Sequence, residues 1–137
     1  MIETLLLDTD VTSFLLKRDS RADKYRPIVE GKRLALSFMS AAQLYKWAIK
    51  RNWGTKRVKQ LEAALQRYVI LPYDSELAWT WARVVSACEG AGRAIGSSDG
   101  WIAATAIRHS VPLVTNNVRH FEAAERLCGL CLIRSQG

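Results

Sequence analysis

A chain of 137 residues with 49% hydrophobic content is long enough for one compact core and too apolar for disorder. Its formal net charge of +7, from 20 basic and 13 acidic residues, suits a polyanionic partner such as nucleic acid, although a merely solvated basic surface gives the same balance. No apolar run nears the roughly 18 residues needed to cross a membrane, and no basic region followed by a long apolar stretch opens the chain. The expectation is a single cytoplasmic domain over residues 1–137 with no membrane partner.

In chain order, Thr4–Leu7 is a short continuous apolar run and reads as a buried strand. Asp10 or Thr9 caps a helix over residues 11–17. Residues 21–30 are a weaker helical stretch, interrupted by Pro27. Residues 34–38 read as a second buried strand. Ser40, with Gln43 three residues on, has the spacing of a capping box opening a helix to about Arg51. Thr55 caps the next helix, to about Tyr68, and Val69–Leu71 is a short strand closed by Pro72. Asp74 or Ser75 caps a long helix to about Glu89. Gly90, Gly92 and Gly96 mark a loop, and Ser98 caps a helix to about Arg108. Leu113–Val114 is a strand, Asn117 caps a short helix through Ala124, and residues 130–133 form a last strand. Strands alternating with helices define an α/β fold with a parallel sheet covered on both faces.

Some chemistries are disfavoured. The glycines at 90, 92 and 96 follow no strand and precede no Lys-Ser/Thr, which argues against a phosphate-cradling loop. Cys128 and Cys131 form a lone C-x-x-C at the end of the chain, without a following helix, a second pair or a nearby His. Together with Cys88 they read as plain thiols.

The polar residues at the strand ends point elsewhere. In open parallel sheets, ligands bind beyond the carboxyl ends of the strands. Asp8 closes the first strand there, and Thr115, Asn116 and Asn117 follow a later one. Asp99 stands in the first turn of the intervening helix. Two carboxylates suit Mg²⁺ or Mn²⁺, which keep several waters and need few protein ligands. Each acid taken singly also serves as an ordinary helix cap or as a charge on the helix dipole. Residues 40, 43, 44 and 47 share one stripe made apolar by Leu44 and Trp47, so Gln43 faces inward, near Asp8 or as the second half of the capping box.

The segments Leu5-Leu-Leu-Asp8-Thr9-Asp10, Ser40-Ala-Ala-Gln43-Leu44, Ser98-Asp99-Gly-Trp-Ile-Ala-Ala-Thr-Ala106 and Leu113-Val-Thr115-Asn-Asn117-Val-Arg-His-Phe121 resemble, in order and over nearly the whole chain, a PIN domain, and within that family a VapC-type ribonuclease toxin. The resemblance implies a three-layer α/β/α sandwich with a central, mostly parallel sheet. It implies a Mg²⁺- or Mn²⁺-dependent ribonuclease that cleaves RNA, is held inactive by a cognate VapB-like antitoxin, and forms a homodimer. Carried over by position, Asp8 and Asp99 hold the metal, Thr115 orients water or substrate, and Asn117 occupies a place taken by an acid or an Asn. Gln43 stands where the pattern has a glutamate. An amide keeps an oxygen but loses a full charge and cannot act as a base. Natural tolerance, decay to a binding protein and a deliberate inactivating substitution are all open.

Around such a site, Lys46, Lys50 and Arg51 on one helix and Lys56, Arg57, Lys59 and Arg67 on the next are candidates for gripping an RNA backbone. Of the tryptophans, 47 and 101 lie in apolar helical patterns, whereas Trp53, beside Gly54, is the candidate for exposure. The resemblance implies that the early helix pair forms an antitoxin groove, with Tyr45 and Trp53 among its lining. The competing readings are a catalytically weakened PIN-like module that binds RNA or antitoxin without cutting, and an unrelated small α/β ligand binder.

Overall fold

The computed structural model describes residues 2–135. The elements run β1 Thr4–Leu7, α1 Thr9–Leu16, a 3₁₀ turn Ser20–Ala22, α2 Arg26–Val29, β2 Arg33–Ser37, α3 Phe38–Lys50, α4 Thr55–Leu65, β3 Val69–Leu71, α5 Ser75–Gly90, α6 Ser97–His109, β4 Leu113–Val114, α7 Val118–Cys128 and β5 Leu132–Ile133. The five strands form one sheet in the order β3-β2-β1-β4-β5, parallel at every pairing. This is the expected α/β/α sandwich, with the sheet wholly rather than mostly parallel.

The pleat explains the two cores. Successive strand side chains point to opposite faces. Leu5 and Leu7 of β1 therefore join Val11, Phe14, Leu44 and Leu61, under the layer built by α1 to α4. Leu6 between them joins Val84, Ile102 and Phe121, under α5 to α7. With helices on both faces, the central strands read as continuous apolar runs.

Several element starts differ from the sequence expectation, and at α1 and α3 the reason is shared. β1 and β2 run straight into helices, and the residue closing each strand becomes the cap. Asp8, not Thr9 or Asp10, caps α1, its Oδ1 accepting from Thr9 N–H at 2.7 Å. Ser37, not Ser40, caps α3 by accepting from Ser40 N–H at 3.1 Å. No capping box involves Gln43. Gly54 and Gly96, rather than Thr55 and Ser98, hold the cap positions of α4 and α6. Pro27 does not interrupt a helix. It sits in the first turn of the four-residue α2, where its missing N–H has no helical partner to lose. Asp74 caps α5, accepting from Leu77 N–H. The three thiols are free.

Candidate metal centre

The strand order reverses direction between β1 and β4, and the crevice at that point opens at the carboxyl ends of both strands. Asp8 leaves β1 and Thr115 leaves β4 into this crevice, and both are buried. The N-termini of α1 and α6 also reach it, so the positive ends of two helix dipoles face whatever negative charge collects there. Asp99 stands in the first turn of α6. That helix lies close on α5 because residue 100 is glycine. A Cβ there would meet Trp81 Nε1 at 3.0 Å and Val85 Cγ2 at 3.1 Å. Trp101 stacks on Trp81 with ring centroids 5.0 Å apart and meets Phe38 edge-on at 5.5 Å, fixing the turn that carries Asp99.

Hydrogen bonds hold each acid. Thr115 donates its hydroxyl to Asp8 Oδ2 at 2.7 Å while accepting from Asn117 N–H at 3.0 Å. Asp10 is the third carboxylate of the crevice, and sequence reasoning missed it as a site residue. Its Oδ1 accepts from Val11 N–H at 2.6 Å, and its Oδ2 accepts from Asn117 Nδ2 at 3.0 Å. Asn117 therefore holds Asp10 from across the crevice, although it occupies the cap position of α7 and makes no side-chain cap bond there. Asn116 accepts from the buried Tyr25 hydroxyl at 2.7 Å, which ties the same loop to the core. Asp99 pairs with His120 Nδ1 at 3.1 Å on the rim.

The electrostatics follow from this crowding. Burial, then the Asp10 charge, pushes the Asp8 carboxyl up to about 7; the Thr115 and Thr9 hydrogen bonds oppose the rise and Asp99 adds to it. Burial likewise raises Asp10, against its hydrogen bonds to the Val11 and Asn116 backbone and to Asp8. Burial raises Asp99 as well, with His120 pulling the other way.

Gln43 does lie beside this network. Thr9 Oγ1 is 2.8 Å from Ser40 Oγ and 2.6 Å from Gln43 Oε1. An amide oxygen only accepts, so Thr9 donates to Gln43 and the Ser40 hydroxyl donates to Thr9. The expected inward stripe of α3 is present, and Ser40 on it is fully buried.

A second feature is a groove of about 210 Å³ between α1, α3 and α4. Leu16, Leu44, Trp47 and Leu61 make its floor, and Arg51 and Arg57 stand at its rim. Their guanidinium groups lie over the Trp47 and Trp53 rings at 5.5 and 4.2 Å. Trp53 is thus half-buried rather than exposed, and the exposed tryptophan is Trp79, at 67%. Tyr45 is not part of the lining.

The PIN domain family profile matches residues 5–127. The chain belongs to the PIN domain family. Among its relatives is Ribonuclease VapC1 of Haemophilus influenzae (strain R2866), 26% identical over 119 residues that cover 85% of this chain and 89% of that protein. Two solved structures extend the likeness. The crystal structure of FitAcB from Neisseria gonorrhoeae is 26% identical with a TM-score of 0.76, covering 95% of this chain and 96% of that one. VapBC-5 from Mycobacterium tuberculosis, a member of the VapBC family of toxin–antitoxin systems, is 25% identical with a TM-score of 0.67, covering 96% and 98%.

VapC-type PIN nucleases depend on a divalent metal, and the donor chemistry of this crevice fits one. Its groups are hard oxygens, and burial disfavours the charge of each of the three carboxylates that face it. Among the described residues, no three His, Cys, Asp or Glu side chains already stand together as a ligand set. Asp8 and Asp10 are turned to hydroxyl, amide and backbone donors, and Asp99 to His120.

Proposed function

We propose that this chain is a Mg²⁺- or Mn²⁺-dependent endoribonuclease toxin, neutralised by a VapB-like antitoxin. The observation that carries the reading is the meeting of Asp8, Asp10 and Asp99 beside Thr115 at the strand-order reversal of a PIN domain. Asp8 and Asp99 would hold a divalent ion, which would supply polarisation of a phosphodiester and a lowered pKa for an attacking water. Thr115 keeps Asp8 aimed at the crevice, and Asn117 keeps Asp10 beside it. His120 anchors Asp99 at the rim, and of the three acids only Asp8 is buried.

The groove between α1, α3 and α4 suits a helical peptide segment with an apolar face and acidic flanks: the face covers Leu44, Trp47 and Leu61, and the acids meet Arg51 and Arg57. The VapBC-type complexes among the structural relatives support such a partner. A second reading, a module that binds RNA or antitoxin without cutting, is favoured by one observation: the neutral Gln43, its oxygen engaged by Thr9.

An RNA cleavage assay with Mn²⁺, with EDTA and with the Asp8→Asn variant separates the two readings. Cleavage should require the metal, stop with EDTA, and fall on the order of a hundredfold or more in Asp8→Asn. RNA retention with no metal-dependent cutting by the unmodified chain would establish the binding module instead.

A further inference from the structure

Position 43 leaves the centre one negative charge short of the pattern it resembles. The geometry shows where its amide oxygen is used. Gln43 Oε1 accepts from Thr9 at 2.6 Å, inside a hydroxyl relay that starts at the buried Ser40. The other end of the amide is an NH₂ group, which can only donate. Gln43 therefore offers a cation no charge, and its amide oxygen already accepts from Thr9.

Asp10 follows the same Thr9 in α1. It is not the cap of α1, because Asp8 fills that role. A solvated helix-face acid would need no partner, yet Asp10 is fastened from the β4–α7 loop by Asn117 Nδ2 at 3.0 Å and by the Asn116 backbone. Asn117 also donates its backbone N–H to Thr115, which donates to Asp8, so one short chain of hydrogen bonds brings the Asp10 carboxyl beside the buried Asp8. Two carboxylates so placed repel each other, and the N-terminus of α1 offsets only part of the cost. A bound divalent cation removes the conflict.

We propose that Asp10 is a ligand-bearing residue of the metal centre and supplies the negative charge that position 43 lacks, with Asn117 as its positioning residue. The inference rests on the nuclease reading for the existence of the centre, and adds to it which side chains balance the ion. Asp8, Asp10 and Asp99 then carry the charge, and Gln43 orders the hydroxyls of Thr9 and Ser40 behind them.

Calorimetric titration of the metal-free protein with Mn²⁺ alone tests this without any activity readout. The set is the unmodified chain, Asp8→Asn, Asp99→Asn, Asp10→Asn, and Asp10→Asn combined with Gln43→Glu, each checked for folding by circular dichroism. The Mn²⁺ Kd should rise about tenfold or more in Asp10→Asn. The double variant should return it to within about threefold of the starting value, because the charge has only moved from position 10 to position 43. An unchanged Kd in Asp10→Asn, with Mn²⁺ binding lost in Asp8→Asn and Asp99→Asn, overturns the role of Asp10 and leaves the nuclease reading standing. Weakening without rescue overturns the exchange of charge between positions 43 and 10. No Mn²⁺ binding by the unmodified chain, or binding indifferent to Asp8 and Asp99, overturns the centre itself and this inference with it.

Discussion

Thr115 is the residue on which the geometry of Asp8 turns. Its single hydroxyl proton goes to Asp8 Oδ2, and its oxygen is occupied by Asn117 N–H. Thr115→Val keeps the shape and removes the donor, leaving a buried carboxylate oxygen without its partner. Removing one partner of a buried polar pair costs about 1–3 kcal/mol. Urea denaturation of the metal-free variant near neutral pH should show a loss of that order, and a midpoint equal to that of the unmodified chain would mean that Asp8 does not depend on the bond. Thr115, Asp8 and Asp99 could be singled out in the sequence because each sits where a strand ends or a helix begins, and local pattern marks such places. Asp10 could not. An acid two residues past a strand looks like a cap until the cap is seen to be Asp8. Tyr25 and His120 left no local signal either: they meet Asn116 and Asp99 across 91 and 21 residues of chain.

At the level of elements, the class and order of β1 to β5 were readable because buried parallel strands leave continuous apolar runs. The helix starts were harder. Ser40 and Gln43 have capping-box spacing, but β2 runs into α3 without a loop, so the cap falls back to Ser37 and Ser40 is carried into the core. Spacing within a helix cannot reveal where the strand before it ends. Asp74 is a cap that was readable, and it does more than cap. Besides accepting from Leu77 N–H, it accepts from Arg108 of α6 at 2.8 Å, joining the start of α5 to the end of α6. The Arg108 hydrogen bond, then the Leu77 N–H, hold its carboxyl below the usual range. For an acid lowered in the folded state, the unfolded chain binds the proton first as pH falls. The stabilisation is therefore fully present above the ordinary carboxylate pKa near 3.8 and is lost as pH falls through the lower folded value. Asp74→Asn keeps a good cap and removes the charge. Its melting temperature should lie slightly below that of the unmodified chain at pH 7, and the gap should close in strong acid. A gap that persists unchanged to the lowest pH would assign the loss to capping geometry rather than to the ion pair.

For the whole molecule, the +7 charge must be reconciled with an acidic centre that by itself repels RNA. The sequence suggested a grip from α3 and α4, through Lys56 and Arg57 among others. The fold divides those residues. Arg51 and Arg57 lie over tryptophans at the groove, and that groove meets the far end of α1, at Leu16 and Lys17, rather than the end that carries Asp8. Lys46 stands one turn beyond Gln43, and Arg119 stands beside His120 and two residues past Asn117; both are exposed, and among the described residues neither is in an ion pair. Lys46 and Arg119, exposed near Gln43 and Asn117 in the chain, are the pair expected to hold phosphates beside a scissile bond. Each phosphate contact on a single strand contributes about 0.7 to the slope of log K against log salt concentration. In an Asp8→Asn background that does not cut, replacing Lys46 and Arg119 together by Gln should lower the magnitude of that slope by about 1.4. Replacing Arg51 and Arg57 by Ala should leave the slope unchanged and weaken an acidic, apolar helical peptide instead. If the slope falls with the arginine pair and stays constant with Lys46 and Arg119, RNA runs along the groove, and one surface then serves both substrate and inhibitor.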